Sequence, residues 1–498
     1  MGRRIIVLTV ALLCVITIAS AALAGGDTKL TYKGVYTAWA QSQHDFMLGN
    51  GDYDDNYAVQ MLRMMLDFEA AEGVHAVTRF DMAQGWWGVD NADRGVQRTG
   101  ASGGSALFDY KDTNFLLHVD QAYIVFAVPD TKLKAKVGRM WYGLGNKLVL
   151  DNNLDGVQFV YDGKFNLGFA KVSEGVDGLS DVDNSSTGGA DAQDANLFLG
   201  QYKNATSSLK YELYGLVYQD AGDGDGTTYM PNDINYFRSR FTPHISELNI
   251  FGAAGKWQNG NLTVDGEFNV LSGKDKVANA TISANQLTDI NEGDISGYNL
   301  YLKANNSVSS SFDVGGVFGM GSGDDDWTAG DGNVNKLRTS GFFYVTEIWE
   351  DSIMPDEEGI TPQGLGAPNV RAYRELENTT LFQLNATYKF SPKVSLFGSF
   401  TSIKATEAIH EWMVMTDDNG TPADPSDDTS WTDVGSASST DIGTEIDWKL
   451  VWKMYPNLIL AFRGGVFTPG DASGYLINGN NSNLEKAWEH KTMITLKF

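Results

Sequence analysis

The chain has 498 residues and a formal net charge of −26, and this acidic balance opposes nucleic-acid binding. Its only cysteine, Cys14, lies in the N-terminal segment, so the rest of the chain has no disulfides, thiolate zinc sites or Cys-ligated haem and iron–sulfur clusters. Beyond that segment no run approaches roughly 18 consecutive apolar residues, so the sequence predicts no membrane-spanning helix.

The first 24 residues predict an export signal. Arg3 and Arg4 form a charged start, residues 5–18 form an apolar run, and Ala22-Leu23-Ala24 offers a small–x–small cleavage site. The paired arginines leave twin-arginine export of a folded protein open. A chain that must cross the inner membrane unfolded instead favours the general secretory route. We expect residues 25–498 to form a single domain, since no linker or composition break divides them.

Alternation of apolar and polar residues predicts β-strands through this domain. An opening strand covers about residues 30–40 and a closing strand covers residues 488–498. Tight turns fall near residues 72–73, 129–131, 162–164, 204–208, 259–260, 305–310, 391–393 and 455–457. Eight hairpins and the two end strands give about 18 strands.

A strand-like piece at residues 337–348 does not fit this count, and we place it inside the longest loop, about residues 322–377. The alternative is that this piece is a strand, which changes the count by two, so that 16 strands also stays open.

The hairpin arms agree on which face is apolar. Asn259-Gly260 suits a two-residue turn that pairs Trp257 with Leu262. A three-residue loop pairs Tyr161 with Phe165. Proline-containing three-residue loops, 391–393 and 455–457, follow two further alternating strands, and the second places Lys449 across from Arg463.

The closing strand is apolar on one face, with Ile494, Leu496 and Phe498, and polar on the other. An aromatic residue at the end of such a strand resembles the last strand of bacterial outer-membrane barrels. That resemblance implies recognition of Phe498 by the barrel-assembly machinery, whereas the alternative is an edge strand of a soluble sheet.

These patterns predict an all-β fold, a transmembrane antiparallel up-and-down β-barrel with short periplasmic turns and long external loops in the bacterial outer membrane. The loop about 322–377 is the candidate for folding into the lumen as a constriction or plug. Aromatic residues that could form interfacial girdles, or simply pack on strands, are Trp39, Trp257, Tyr388, Trp448, Trp452 and Phe498.

The polar face of the strands carries charges of both signs. The candidate pore-lining residues are Arg63, Arg79, Asp81, His118, Asp120, Lys210, Glu212, Lys449 and Arg463. Opposed charges in a pore impose a transverse field on solutes. Any water-filled barrel also has charged walls, so the set indicates no selectivity by itself.

The external loops are acidic. Asp324, Asp326, Asp417 and Asp427 supply hard oxygen atoms that suit calcium, although no complete calcium-loop spacing is present. The alternative is that these loops are solvated negative surfaces, and bridging to lipopolysaccharide is a further option. We predict no other cofactor and no enzymatic activity, because no Ser-His-acid set, phosphate-binding loop or His-rich metal motif is found.

Lys136-Val137-Gly138-Arg139-Met140, followed by Gly143, Gly145 and Asp155-Gly156-Val157, resembles the "G-R … G … D-G" stretch of large Gram-negative porins. The similar proteins are substrate-channel porins and alginate-export-like barrels. This resemblance implies passive diffusion of small hydrophilic solutes or ions through a water-filled pore, and a homotrimer. The alternatives are a barrel that sheathes a periplasmic or extracellular partner, a gated substrate-specific exporter, and a secreted soluble β-protein.

Overall fold

The structure is a computed structural model that describes residues 28–49, 54–87, 117–173, 195–220, 245–275, 293–323, 325, 343–353, 376–417 and 429–498. The predicted signal peptide therefore lies outside the described residues. Within the described ranges, no helix is long and apolar enough to cross a membrane.

Eighteen strands form one antiparallel sheet. They are β1 (Lys29–His44), β2 (Asp55–Ala71), β3 (Val74–Trp86), β4 (Leu117–Ala127), β5 (Leu133–Gly143), β6 (Asp151–Tyr161), β7 (Phe165–Ser173), β8 (Ala195–Ala205), β9 (Leu209–Asp220), β10 (Ile245–Asn259), β11 (Leu262–Asp275), β12 (Gly293–Ser307), β13 (Phe312–Gly321), β14 (Thr379–Lys389), β15 (Val394–Asp417), β16 (Thr429–Tyr455), β17 (Leu458–Pro469) and β18 (Ala487–Lys497). A π-helical turn (Trp349–Ile353) and helix α1 (Asp471–Asn478) lie between strands.

Each strand pairs with its neighbours in sequence, and β1 also pairs with β18, so the sheet closes into a barrel. The last residue takes part in this closure, because Phe498 and Gly34 exchange two backbone hydrogen bonds of 2.7 and 3.0 Å. The prediction of an all-β, up-and-down barrel of about 18 strands is confirmed. The described part of the strand-like piece, residues 343–348, is not a strand, so the count of 16 is wrong.

The two faces of the sheet differ as the alternation requires. On β11 and β12, Glu267, Asn269 and Asn299 are buried, whereas the intervening Phe268 and Leu300 are exposed. A closed barrel has one enclosed face and one outer face, so the polar set points inward and the apolar set outward.

The hairpin registers agree with the sequence in part. Tyr161 pairs with Phe165, and Lys449 pairs with Arg463, as predicted. The predicted pairing of Trp257 with Leu262 is wrong, since Leu262 pairs with Asn259 and the turn residues are Gly260 and Asn261. Gly260 has a φ of +55° and stands first in the turn, as in type II′ hairpins.

The turn between β16 and β17 also differs from the prediction. Tyr455 pairs with Leu458 after an irregularity in the ladder, which leaves a two-residue turn in place of the expected three. The irregularity is a β-bulge between Lys453 and Tyr455, which accommodates the residue gained from the shorter turn. Lys449 therefore still pairs with Arg463 beyond the bulge.

Candidate functional site: the barrel interior

A hairpin leaves the barrel wall and enters the interior. The β5–β6 ladder continues to Gly143 and Asp151, but the β4–β5 ladder ends at Arg139 and the β6–β7 ladder ends at Asp155. We call residues 140–154 the inner hairpin. Its described neighbours include the inner face of β9 and β11.

Carboxylates on the inner face of β9 and β11 hold the tip of the inner hairpin. The backbone N–H of Gly145 donates to Glu212 Oε1 at 3.0 Å, and the N–H of Asn146 donates to Glu267 Oε2. The Asn146 side chain donates to Asp265 at 3.2 Å. Backbone N–H donors thus stabilise carboxylates of the inner wall without adding a cation.

Apolar side chains fill the space on one side of the inner hairpin. Leu144, Leu148 and Leu150 are fully buried and belong to the same cluster as Leu216 and Ile250 of the wall. The inner hairpin is therefore packed in place as well as hydrogen-bonded.

The other side of the inner hairpin faces a network of charges. Arg63 makes a two-pronged ion pair with Asp81, with both contacts at 2.6 Å, and Arg79 pairs with Asp120. Asn153 of the inner hairpin donates to Asp120 at 2.6 Å. These four predicted pore-lining residues are thus brought together on the inner face.

A second segment, residues 343–353, lies against the inner face of β14, β16, β17 and β18. We call it the inner segment. The backbone N–H groups of Ile348 and Trp349 donate to Glu445 at 2.7 and 2.9 Å. The ring of Trp349 stacks on Phe467, with 5.1 Å between centroids. This segment belongs to the loop that the sequence predicts to fold inward.

Ion pairs also hold the inner segment. Arg463 lies 3.0 Å from Glu347, and Lys491 lies 3.3 Å from Asp351. Arg463 and Lys491 are nearly buried, so water screens these pairs little. Lys449, the register partner of Arg463, lies on the same inner face.

Glu350 of the inner segment is enclosed by protein. Burial raises its pKa from the ordinary 4.5 to about 7, and hydrogen bonds from the N–H groups of Val345 and Thr346 oppose this shift. Burial also raises the pKa of Glu347, while the Arg463 guanidinium opposes it.

An open cavity of about 640 Å³ lies beside the tip of the inner hairpin. Four lysines line it, Lys164, Lys203, Lys210 and Lys256, together with the acids Asp162, Glu212 and Asp265. Lys203 lies 3.3 Å from Glu212, whereas Lys210 and Lys256 are each other's register partners. Two like charges, Lys210 and Lys256, thus lie side by side on one wall of this cavity.

The remaining predicted positions are as follows. His118 is the register partner of Asp81, and its side chain lies outside the described residues. Asp324, Asp326 and Asp427 lie outside them entirely, and Asp417 ends β15 with an undescribed side chain. Among the described residues, no group of three or more potential ligands could hold a metal ion.

The predicted girdle residues divide between the two faces. Trp257, Tyr388, Trp452 and Phe498 are exposed on the outer face. Trp448 lies on the same face, where it stacks on His490.

Trp39 is an exception, because it shares the inward face of β1 with Gln41 and Gln43, which hydrogen-bond to Glu489. It is buried there, so the prediction of a membrane-facing Trp39 is wrong.

No family model matches the chain, and no curated protein matches it. Solved structures do match the chain. OccK8 (OprE) of Pseudomonas aeruginosa is 10% identical, with 94% of this chain and 98% of that chain covered and a TM-score of 0.50. OccK2 (OpdF) of the same organism is 9% identical, with the same coverage and a TM-score of 0.50. A BenF-like porin from Pseudomonas fluorescens Pf-5 is 10% identical over 94% and 98%, with a TM-score of 0.48.

The chain has the outer-membrane porin fold. At such low identity the similarity concerns the architecture alone. The porin-like barrel here agrees with the resemblance carried by the Gly138-Arg139 and Asp155-Gly156 motif, whose four residues meet as register partners in β5 and β6.

Proposed function

We propose that the protein is an outer-membrane porin, a water-filled channel for passive diffusion of small hydrophilic solutes or ions. The observation that carries the proposal is the difference between the two faces of the closed barrel: the outer face is apolar, and the inner face is rich in charged residues. A strand barrel satisfies its backbone hydrogen bonds internally and can therefore stand in lipid. The charged inner face can hold water and solvate a hydrophilic solute that crosses the barrel.

The inner hairpin and the inner segment would narrow this channel from two sides. The first is anchored to β9 and β11, and the second to β14, β16, β17 and β18. A passing solute would meet the Arg63–Asp81 and Arg79–Asp120 pairs on one side. These positioned charges would act physically, and we expect no catalytic role.

Some expectations on partners and ions stay predictions. They are recognition of Phe498 by the barrel-assembly machinery, association into a homotrimer, contact with lipopolysaccharide, and calcium binding by the acidic external loops. The exposed ring of Phe498 on the outer face is compatible with the first of these.

Planar-bilayer recording tests the channel proposal. The full chain, extracted from outer membranes in detergent, is inserted into a bilayer with a salt gradient across it. We expect stepwise conductance and a measurable reversal potential. Insertion without current would contradict the open-channel proposal and would favour a plugged barrel or one that sheathes a partner.

A further inference from the structure

Two lysines lie side by side on the inner face of the barrel. Lys210 of β9 and Lys256 of β10 are register partners, and Lys210 lies two positions from Glu212, whose carboxylate accepts the N–H of Gly145. Both lysines are exposed at the cavity beside the hairpin tip. Within the described ranges, neither lysine side chain makes an ion pair or a hydrogen bond. The two ammonium groups are therefore available to a ligand in the lumen.

The acidic residues of this cavity have other partners. They are Asp162, Glu212 and Asp265. Lys132 lies 2.9 Å from Asp162, and Lys203 lies 3.3 Å from Glu212. The side chain of Asn146, at the tip of the inner hairpin, donates to Asp265 at 3.2 Å. These acids are thus engaged by groups other than Lys210 and Lys256, although Asp265 is the register partner of Lys256 on β11.

The pair of like charges is unfavourable by itself. Directly opposite residues of antiparallel strands have Cα atoms about 4.5–5.5 Å apart, and like charges at such positions destabilise a sheet. A monoanion neutralises one of the two charges, whereas a dianion neutralises both. The repulsion between Lys210 and Lys256 therefore favours a doubly charged ligand.

We propose that Lys210 and Lys256 bind the phosphate group of a small phosphate monoester. The inference rests on the proposed function and names a class of solute for the channel. A phosphate monoester carries a charge of about −1.5 to −2 at pH 7 and three strong acceptor oxygens. Each lysine ammonium has three donors and binds phosphate as a point charge. One phosphate group thus offers an oxygen to each ammonium group.

The cavity also has room for the rest of the solute. Its volume is about 640 Å³, and the pockets that hold small molecules measure roughly 300–1,000 Å³. A carboxylate offers about four acceptor sites, so Glu212 and Asp265 can also accept hydrogen bonds from hydroxyl groups of the solute. The cavity therefore suits a hydroxylated ester.

The site lies between the inner hairpin and the short-turn end of the barrel. Asp162 and Gly163, in the short turn between β6 and β7, line the cavity together with Gly145 and Asn146 of the hairpin tip. Short turns face the periplasm in outer-membrane barrels. A solute bound here lies on the periplasmic side of the inner hairpin.

Isothermal titration calorimetry on the full chain in detergent tests this site. The probes are glycerol 3-phosphate and glycerate, a hydroxylated monoanion of similar length. We expect glycerol 3-phosphate to bind at least about tenfold more tightly, because a hydrogen bond to a charged group contributes that much or more. Equal affinities would overturn the proposal. Equal or tighter binding of inorganic phosphate would do the same, since it would assign the site to the free ion.

Substitution of the two lysines locates the binding. K210Q/K256Q should weaken binding of glycerol 3-phosphate by about a hundredfold, and each single variant by about tenfold, because each removes one charged donor. K393Q/K486Q is the matched control, since it neutralises two exposed lysines that do not line the cavity. It should bind as the wild type does. Wild-type affinity in K210Q/K256Q, or equal loss in the control, would contradict the site.

Binding in detergent requires no open channel, so this test and the bilayer recording fail separately. Conductance without binding of glycerol 3-phosphate would overturn the phosphate site alone. Binding without conductance would overturn the open-channel proposal and would support the site.

Discussion

Gly145 stands where the inner hairpin meets the inner face of β9 and β11. Its φ is +53°, in the left-handed region that residues with a Cβ rarely adopt. A Cβ atom at this position would overlap the Glu267 carboxylate, which accepts the neighbouring N–H of Asn146. Glycine thus permits both the turn and the close approach, so that Glu212 and Glu267 can hold the tip.

We therefore expect Gly145→Ala to detach the tip and to give a larger, noisier single-channel current. The left-handed conformation costs a residue with a Cβ about 1–2 kcal/mol, and the overlap with Glu267 adds to this. Gly260→Ala is the matched control, because Gly260 has a φ of +55° and open space around it. Its current should equal that of the wild type. A wild-type current in both variants would mean that the tip does not limit conduction.

For individual residues, the sequence predicts several charges of the inner face but not the distant groups that they contact. Alternation alone places Arg63, Arg79 and Asp81 on the polar face. It cannot show that the carboxylate of Glu267 accepts a hydrogen bond from Asn146, 121 positions away. The closed barrel brings these distant residues together. The aromatic character of Trp39 predicts an outer-face position, whereas its parity with Gln41 along β1 puts it on the inner face.

The inner segment is an element whose docking depends on a titratable group. Glu350 is enclosed, and its pKa is raised from 4.5 to about 7 by burial. Glu347, whose pKa is raised by the same cause, lies beside Arg463 of the wall. Both carboxyl groups hold their protons more tightly in the docked segment than they would in a free one.

The sign of the pH dependence follows from these shifts. Docking is most favourable below about pH 4.5 and weakens as the pH rises to about 7, because ionised Glu350 is then left in a buried place. We expect the mean current of the wild type to rise between pH 5 and pH 8. Glu350→Gln should flatten that rise, since it removes the titrating group and keeps an acceptor oxygen.

Asp130→Asn is the control for this titration, because Asp130 lies in the exposed turn between β4 and β5. It should keep the wild-type response. An unchanged pH response in Glu350→Gln would assign the effect to another group or show that the segment does not move.

The strands were the most predictable elements. Eight tight turns and two end strands gave the correct number, because each strand alternates over about ten residues. The register between strands was harder to predict, because a shift by two residues keeps every side chain on the same face of the sheet. The β10–β11 pairing differs from the prediction by two residues. The inner hairpin was not predicted. Its residues look like ordinary strand and turn, and its inward bend depends on contacts with β9 and β11.

Over the whole molecule, the charge is not distributed evenly. The chain carries a net −26, with many acids in the stretches between strands, yet lysines line the cavity beside the inner hairpin. The hairpin tip engages Glu212, Glu267 and Asp265, while Lys210 and Lys256 lie side by side. A cluster of lysines thus lies beside the hairpin tip in a chain whose net charge is strongly negative.

This distribution predicts a selective effect on anions. We expect K203Q/K210Q/K256Q to shift the reversal potential toward cation preference, because a local potential of a few kT changes ion concentrations by roughly tenfold. The shift should be clear in 0.1 M salt, where the screening length is about 10 Å, and small in 1 M salt, where it is about 3 Å.

The matched control changes the net charge of the chain by the same amount. K29Q/K132Q/K486Q neutralises three exposed lysines, none of which lines the cavity. If the total charge set the selectivity, both triple variants would shift the reversal potential equally. If the cavity sets it, only K203Q/K210Q/K256Q shifts it, and the shift fades with salt while the single-channel steps persist.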